Sequence, residues 1–330
     1  MNLAKHSAFE PLPPTKTDPN AVLTTGDGDD NLGPLRALLG KWEGTGFNNI
    51  WRPLHDPKHP DQTHFLQLNA TREVITFEEI KGKIPNRGLL QPDIDMFGIH
   101  YMQQVFDVNT SPDPALQDML HFEPGIWLNV PSTTDPAVAP TVCRMASIPH
   151  GTTVLAQGPI HDKNDLTFDP SDIIPFPIGG DPKKNPSIKE KSIFEPQTKL
   201  DIENEFRTGG NLLANITQSM IDDPNSVLAD AVAGQTITKL LTFPISSGAT
   251  DDVPEGGGTA NTAFLAGRGK PDQNANANAA QLDAKFWIET IKGTNGQPDF
   301  LQLQYTQTVL LNFNKLSWPH MSVATLRKTT

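Results

Sequence analysis

One cysteine, Cys143, is all the chain contains, so no internal disulfide can form, and such sparing use of thiols fits a reducing compartment. No run of about 18 apolar residues is present, which argues against a helical membrane span. The first twenty residues, MNLAKHSAFEPLPPTKTDPN, lack the apolar core of a secretory signal. Basic residues are also scarce: 26 Lys and Arg stand against 38 Asp and Glu, a formal net charge of -12, and no Lys/Arg-rich run offsets it. Phosphate backbones and anionic membranes both reward basic patches, so neither nucleic acid nor membrane is expected as a partner. A soluble, cytoplasmic protein is the expectation. Catalytic motifs are missing too: there is no Gly-x-Ser-x-Gly, and Gly267-Arg268-Gly269-Lys270 lacks the spacing of a phosphate-cradling loop.

Proline and glycine are abundant, 30 and 25 in 330 residues. Proline removes a backbone donor and clashes inside helices, so this frequency argues against a helical bundle and suits strands separated by turn-rich loops. Residues 1 to about 30 are polar and read as a disordered or surface arm. Asn31 to Leu39 predicts a short helix, capped by Asn31, with Leu35, Leu38 and Leu39 on one face, plugging a barrel mouth just ahead of the first strand. Strands then dominate, beginning at Lys41–Phe47. In 63–79, Leu66, Leu68 and Val74 share one face while Phe65, Ile75 and Phe77 share the other, predicting two strands or one long bulged strand. Residues 98–108, 120–130 and 141–148 come next. Pro149-His150-Gly151 makes a tight turn into 152–157.

Residues 159–281 read as an insertion in a single domain spanning 31–330. The expected elements there are strands at 191–194 and 200–206, a helix at 224–232, and mobile low-complexity stretches at EGGGTANTA and DQNANANAAQ. A hairpin of 285–292 with 300–313, a loop 314–319 and a last strand opened by His320 complete the chain. Many strands, short hairpins and no βαβ rhythm predict a mainly β fold, a sheet of about eight to ten strands closed on itself, with room for one small ligand.

Three groups of residues could carry chemistry. His320 follows Pro319, which fixes the backbone direction; a neutral imidazole there could ligate a metal or sit in an ordinary loop. His121, Glu123 and Trp127 share a strand face at i, i+2 and i+6, with Gly125 leaving space between them; the His/Glu pair would face a cavity or a barrel rim. His55, His59 and His64 invite a zinc reading, but Pro53, Pro57 and Pro60 prevent the helix that would gather them, so a solvated loop is expected. Trp42 is expected to pack the core. Tyr101 and Tyr305, the only tyrosines, are expected in the core or at the rim.

Three stretches resemble the nitrobindin family, haem-binding barrels of the lipocalin-like (calycin) kind, related to fatty-acid-binding proteins. Leu39-Gly40-Lys41-Trp42-Glu43-Gly44-Thr45-Gly46 is similar to that family's opening G-x-W-x-G-x-G. Leu120-His121-Phe122-Glu123-Pro124-Gly125-Ile126-Trp127 is similar to its H-x-E-x-G-x-W strand. His320-Met321-Ser322-Val323-Ala324-Thr325-Leu326-Arg327 resembles its last strand. The match covers about half the chain. The family's barrels are about half this length, and Asn48-Asn49-Ile50-Trp51 stands where they carry Tyr-Pro-Thr.

The resemblance implies a closed antiparallel calycin barrel with haem b inside and His320 as proximal ligand to ferric iron. It further implies an apolar distal side, reactivity toward nitric oxide, peroxynitrite-isomerase-like activity and a homodimer formed through an outer sheet face. His121, Glu123 and Trp127 would line the ligand site. The alternative is a non-haem calycin, either a carrier or a lyase/hydratase-like enzyme for a fatty acid, terpenoid or aromatic. There the insertion would reshape the mouth, and His121 with Glu123 would bind or protonate the ligand.

Overall fold

The computed structural model describes residues 31–162, 166–180, 187–200, 216–254, 256–267 and 275–329. The expected arm at 1–30, and residues 201–206 of an expected strand, lie outside them. Among the described residues ten strands form the barrel: β1 Gly40–Pro53, β2 His64–Glu79, β3 Asp95–Asp107, β4 Met119–Val130, β5 Thr141–Ile148, β6 Thr152–Pro159, β7 Ile237–Ser246, β8 Asn278–Ile291, β9 Phe300–Phe313 and β10 Leu316–Lys328. Neighbours in sequence are neighbours in the sheet, and β10 returns to pair antiparallel with β1, from Trp42↔Lys328 to Ile50↔His320. The closed antiparallel barrel is therefore as expected. Its seventh strand, β7, comes from within the stretch read as insertion.

At the β1–β10 closure the Gly44-Thr45-Gly46 spacing has a steric reason. A Cβ at Gly44 would overlap the Thr325 carbonyl, and one at Gly46 the Val323 carbonyl. The two backbones approach where only glycine fits. The weakest junction lies across the ring. There β6 and β7 share the pair Gln157↔Ser246 and a bridge between His161 and Thr242. The short strand Gly258–Asn261 instead lies along β6 at Thr152–Leu155.

Two cores flank the wall. The inner one gathers Trp42, Ile75, Phe77, Tyr101, Trp127, Phe286 and Leu326. It is closed at one end by the chain before β1, which is a 3-10 helix, Gly33–Leu38, and not an Asn31-capped α-helix. Leu35 and Leu38 are buried as expected, and Trp42 Nε1 donates to the Leu38 carbonyl at 2.6 Å.

The outer core explains the apolar residues on both faces of 63–79. β2 is one strand paired with β1 from Gly40↔Phe77 to Pro53↔His64 without a bulge. Its Ile75 and Phe77 point inward, while Leu66 and Leu68 point outward under the insertion. Phe47 and Trp51 of β1 and Met321 and Val323 of β10 join them, covered by Ile173, Phe194, Ile221 and Leu228. Trp51 Nε1 donates to the Ile173 carbonyl at 2.8 Å.

The covering elements are helical: α1 Ile188–Phe194, α2 Gln218–Asp222 and α3 Ser226–Val232. Residues 191–194 are thus not a strand, because a Ser187/Glu190 capping box starts a helix there. The helix expected at 224–232 is present as α3. In the glycine-rich stretch, Gly258–Asn261 is a strand and Ala263–Ala266 a short helix, α4. No helix among the described residues is long and apolar enough to cross a membrane.

Candidate ligand cavity

The inner core fills only part of the barrel. Past it, toward the other end, lies a cavity of about 780 Å³, within the roughly 300–1,000 Å³ of small-molecule sites. Alternation along each strand decides what faces it. On β1, Trp42 belongs to the packed end while Asn48, Ile50 and Arg52 line the cavity; on β10, Ala324 and Leu326 pack inward and His320 and Ser322 line it. Val105, Ile148, Phe286, Val309 and Leu311 supply apolar wall. Phe264 and Leu265 of α4, with Asn276 and Ala277, border the mouth. The stretch 159–281 therefore does three things: it supplies strand β7, its helices cover the outer wall, and its end reaches the cavity.

His320 does not open the last strand. Asn314 and Lys315 form a two-residue turn, both at positive φ, and Phe313 pairs directly with Leu316. His320 thus sits well inside β10, opposite Ile50 on one side and Val309 on the other. It is half-buried, and neither ring nitrogen has a hydrogen-bond partner among the described residues. Burial, then the nearby charges of His121, His150 and Arg52, push its pKa down to about 3, so the ring is neutral at physiological pH.

β4 and the β5–β6 turn lie across the ring from β10. On β4, His121 and Glu123 face the interior together, His121 Nε2 lying 3.0 Å from Glu123 Oε2. Gly125 leaves space as expected, but the Tyr101 ring fills it; a Cβ there would overlap that ring. Trp127 lies deeper, edge-on to Phe286 in the packed core, away from the cavity. Glu123 is fully buried and paired with Arg144, whose Nη2 lies 2.5 Å from Glu123 Oε1. Tyr101 also donates to Glu123, and Arg144 Nη1 donates to Gln307 at 2.6 Å. Burial alone would raise the Glu123 pKa, but Arg144 and His121 hold it at about 2. The side facing His320 is therefore not apolar, as the resemblance implied; it carries an imidazole, a carboxylate and a guanidinium.

A second carboxyl, Glu73 on β2, accepts from Tyr305 Oη at 2.7 Å and from Gln103 Nε2 at 3.1 Å. Burial pushes its pKa up to about 7, against the lowering effect of those donors. Both tyrosines are thus core residues with their hydroxyls on carboxyl groups. Folded Glu73 keeps a proton that the unfolded chain has lost between about pH 4.5 and 7, so its contribution to stability is present below that window and declines as pH rises through it. Glu73→Gln should remove this term: the stability of wild type minus variant, from urea unfolding, should fall by roughly 3 kcal/mol between pH 4.5 and 8. A pH-independent difference would show that Glu73 is already ionised in the folded chain.

Sequence reasoning missed Arg144, Glu73, Gln103 and Gln307. The available signal was a charge inside an apolar strand: Arg144 in TVCRMASI and Glu73 in ATREVITF fall on the inward parity. The three histidines of residues 55–64 do not gather. His64 packs on the outer wall against Trp51, Phe194 and Trp318. No group of three or more His, Cys, Asp or Glu side chains suited to a metal occurs among the described residues. Cys143 is buried, and burial pushes its thiol up to about 12, leaving it unreactive.

Fold and cavity together define the class: a closed antiparallel β-barrel of ten strands, compatible with binding a small ligand inside. No family model and no curated protein matches the chain. Among solved structures, the crystal structure of Rv2717c from M. tuberculosis is similar at 14% identity, covering 92% of this chain and 100% of that one with a TM-score of 0.39. At that level the fold conclusion rests on the strand pairings themselves.

Proposed function

We propose that the barrel binds haem, with the His320 imidazole as the protein ligand to iron. One observation carries this reading: a neutral imidazole with no protein partner, mid-strand, faces a cavity of about 780 Å³. The donor set fits the group. A bare structural or catalytic ion needs three or four protein ligands, and no such cluster exists among the described residues. A porphyrin brings four nitrogens of its own and asks the protein for one axial donor. Val105, Ile148, Val309 and Leu311 offer apolar wall to a macrocycle, and Arg52 near the mouth offers a cation for its carboxylates. When bound, haem would supply an iron with a position open to small molecules such as nitric oxide or peroxynitrite.

One equivalent of haemin should give wild type a sharp Soret band, and His320→Ala should bind at least tenfold more weakly, about 1.4 kcal/mol, with a shifted spectrum. Saturable binding unchanged in the variant would overturn His320 as ligand. No specific binding by wild type would overturn the haem reading and leave a carrier or lyase-like barrel for an apolar ligand.

A further inference from the structure

The polar wall opposite His320 has a direction built into it. Glu123 lies beneath the cavity surface, buried and kept ionised by Arg144. A carboxylate can only accept, so His121 must present a proton on Nε2 to make their 3.0 Å contact. The other ring nitrogen, Nδ1, is then the one that can take up a proton. It faces His150 Nε2 at 3.4 Å, a long contact that a ligand oxygen can replace, with the two rings 5.4 Å apart. His150 sits in the exposed Pro149-His150-Gly151 turn, where it touches both solvent and cavity. The line from carboxylate to imidazole to imidazole to water is the arrangement of an oriented acid–base group with a route for its proton.

We propose that His121 is a catalytic acid–base group for a ligand of the hydroperoxide class, with Glu123 fixing its tautomer and His150 exchanging its proton with solvent. In the step, the O–H bond of the hydroperoxide breaks and an N–H bond forms at His121 Nδ1. The resulting imidazolium is balanced by the Glu123 carboxylate. The peroxide anion is left on the side of the cavity that carries the Arg144 guanidinium, which keeps N–H groups beyond the three it uses on Glu123, Tyr101 and Gln307. The proton then leaves through His150 to water, or returns to the ligand by the reverse path. No electron moves in this step. The hydroperoxide class rests on the haem reading: an iron held at His320 would take a small oxygen ligand, and an acid–base imidazole with a guanidinium beside it suits one that carries a transferable proton.

Two measurements test this. In the ligand-free protein, nitrogen-15 NMR of labelled histidine should show neutral His121 as the Nε2–H tautomer, and Glu123→Gln should change that population. In the haemin-loaded protein, the second-order rate of the spectral change with hydrogen peroxide should fall about 10²- to 10⁴-fold in His121→Gln. Glutamine can still donate to Glu123 but cannot shuttle a proton. His150→Gln should lower the rate less, and added imidazole should restore it. An Nδ1–H tautomer at His121, or haemin bound normally with an unchanged peroxide rate in His121→Gln, would overturn the proposal alone. Failure of wild type to bind haemin would overturn the hydroperoxide assignment together with the haem reading.

Discussion

Replacing Arg144 with Met should destabilise the fold by about 3–5 kcal/mol at neutral pH, because it leaves the Glu123 carboxylate buried without its cation. Arg144 and Glu123 are both almost wholly excluded from water, and the guanidinium also holds Tyr101 and Gln307. A pair so placed adds little net stability as a pair, since both charges are desolvated. Removing one partner is a different matter. Glu123, held at about 2 in the wild type, would have to stay ionised out of water without its cation, or take up a proton. The deficit should therefore shrink as pH falls and the carboxyl is neutralised. Adding Glu123→Gln to Arg144→Met should recover most of the loss, since no unpaired charge remains. Urea unfolding of both variants at pH 7 and pH 5 checks this; equal and small losses in both would mean that water already reaches Glu123.

Trp318→Ala should cost a similar 3–5 kcal/mol, the range for emptying a large aromatic site, but its effect should fall on the outer wall. Trp318 is fully buried and stacked on Phe313 with ring centroids 4.5 Å apart, and its Nε1 donates to the Phe313 carbonyl at 2.8 Å. The rings of Trp51 and His64 and the edge of Phe194 from α1 also lie against it. The variant should free α1 from the wall before the barrel opens, so limited proteolysis should cut near residues 187–200 while a barrel-sized fragment survives. Protection of that segment equal to wild type would show that Ile173, Ile221 and Leu228 anchor the insertion without it.

The barrel itself was legible in the sequence because inward and outward residues alternate and hairpin turns announce themselves, as at Pro149-His150-Gly151. What failed, failed where tertiary packing overrides local pattern. β2 looked like two strands because Leu66 and Leu68 are as apolar as Ile75 and Phe77; only the insertion folding back on the outside makes both faces buried. Asn314-Lys315 looked like the edge of a loop because a positive φ at lysine has no sequence signature. At the cavity, the His121–Glu123 pair could be found by face and spacing, whereas His320 was singled out by the proline before it and by resemblance, with its place in the strand misjudged. Tyr101 and Arg144 flank Glu123 from the two neighbouring strands, whereas Tyr305 reaches Glu73 and Gln307 reaches Arg144 from strands far apart in sequence, contacts that only the closed barrel makes. Trp127 obeys the same spacing as His121 but lies too deep, since parity fixes the face and not the depth.

The ring of strands is not equally strong all the way round. β1 and β2 share an unbroken ladder along their whole length, whereas diametrically opposite, β6 and β7 meet at little more than Gln157 with Ser246 and His161 with Thr242. Pro244, which has no N–H to offer, sits in the strand beside that junction. Local opening is governed by the hydrogen bonds and contacts that must be given up. The molecule is thus built like a split cuff, with a stiff spine under the insertion and a slit on the far side. The cavity lining is divided between the two: His320 and Arg52 stand on or beside the spine, while His121 and Arg144 stand on strands nearer the slit, which the Gly258–Asn261 strand spans.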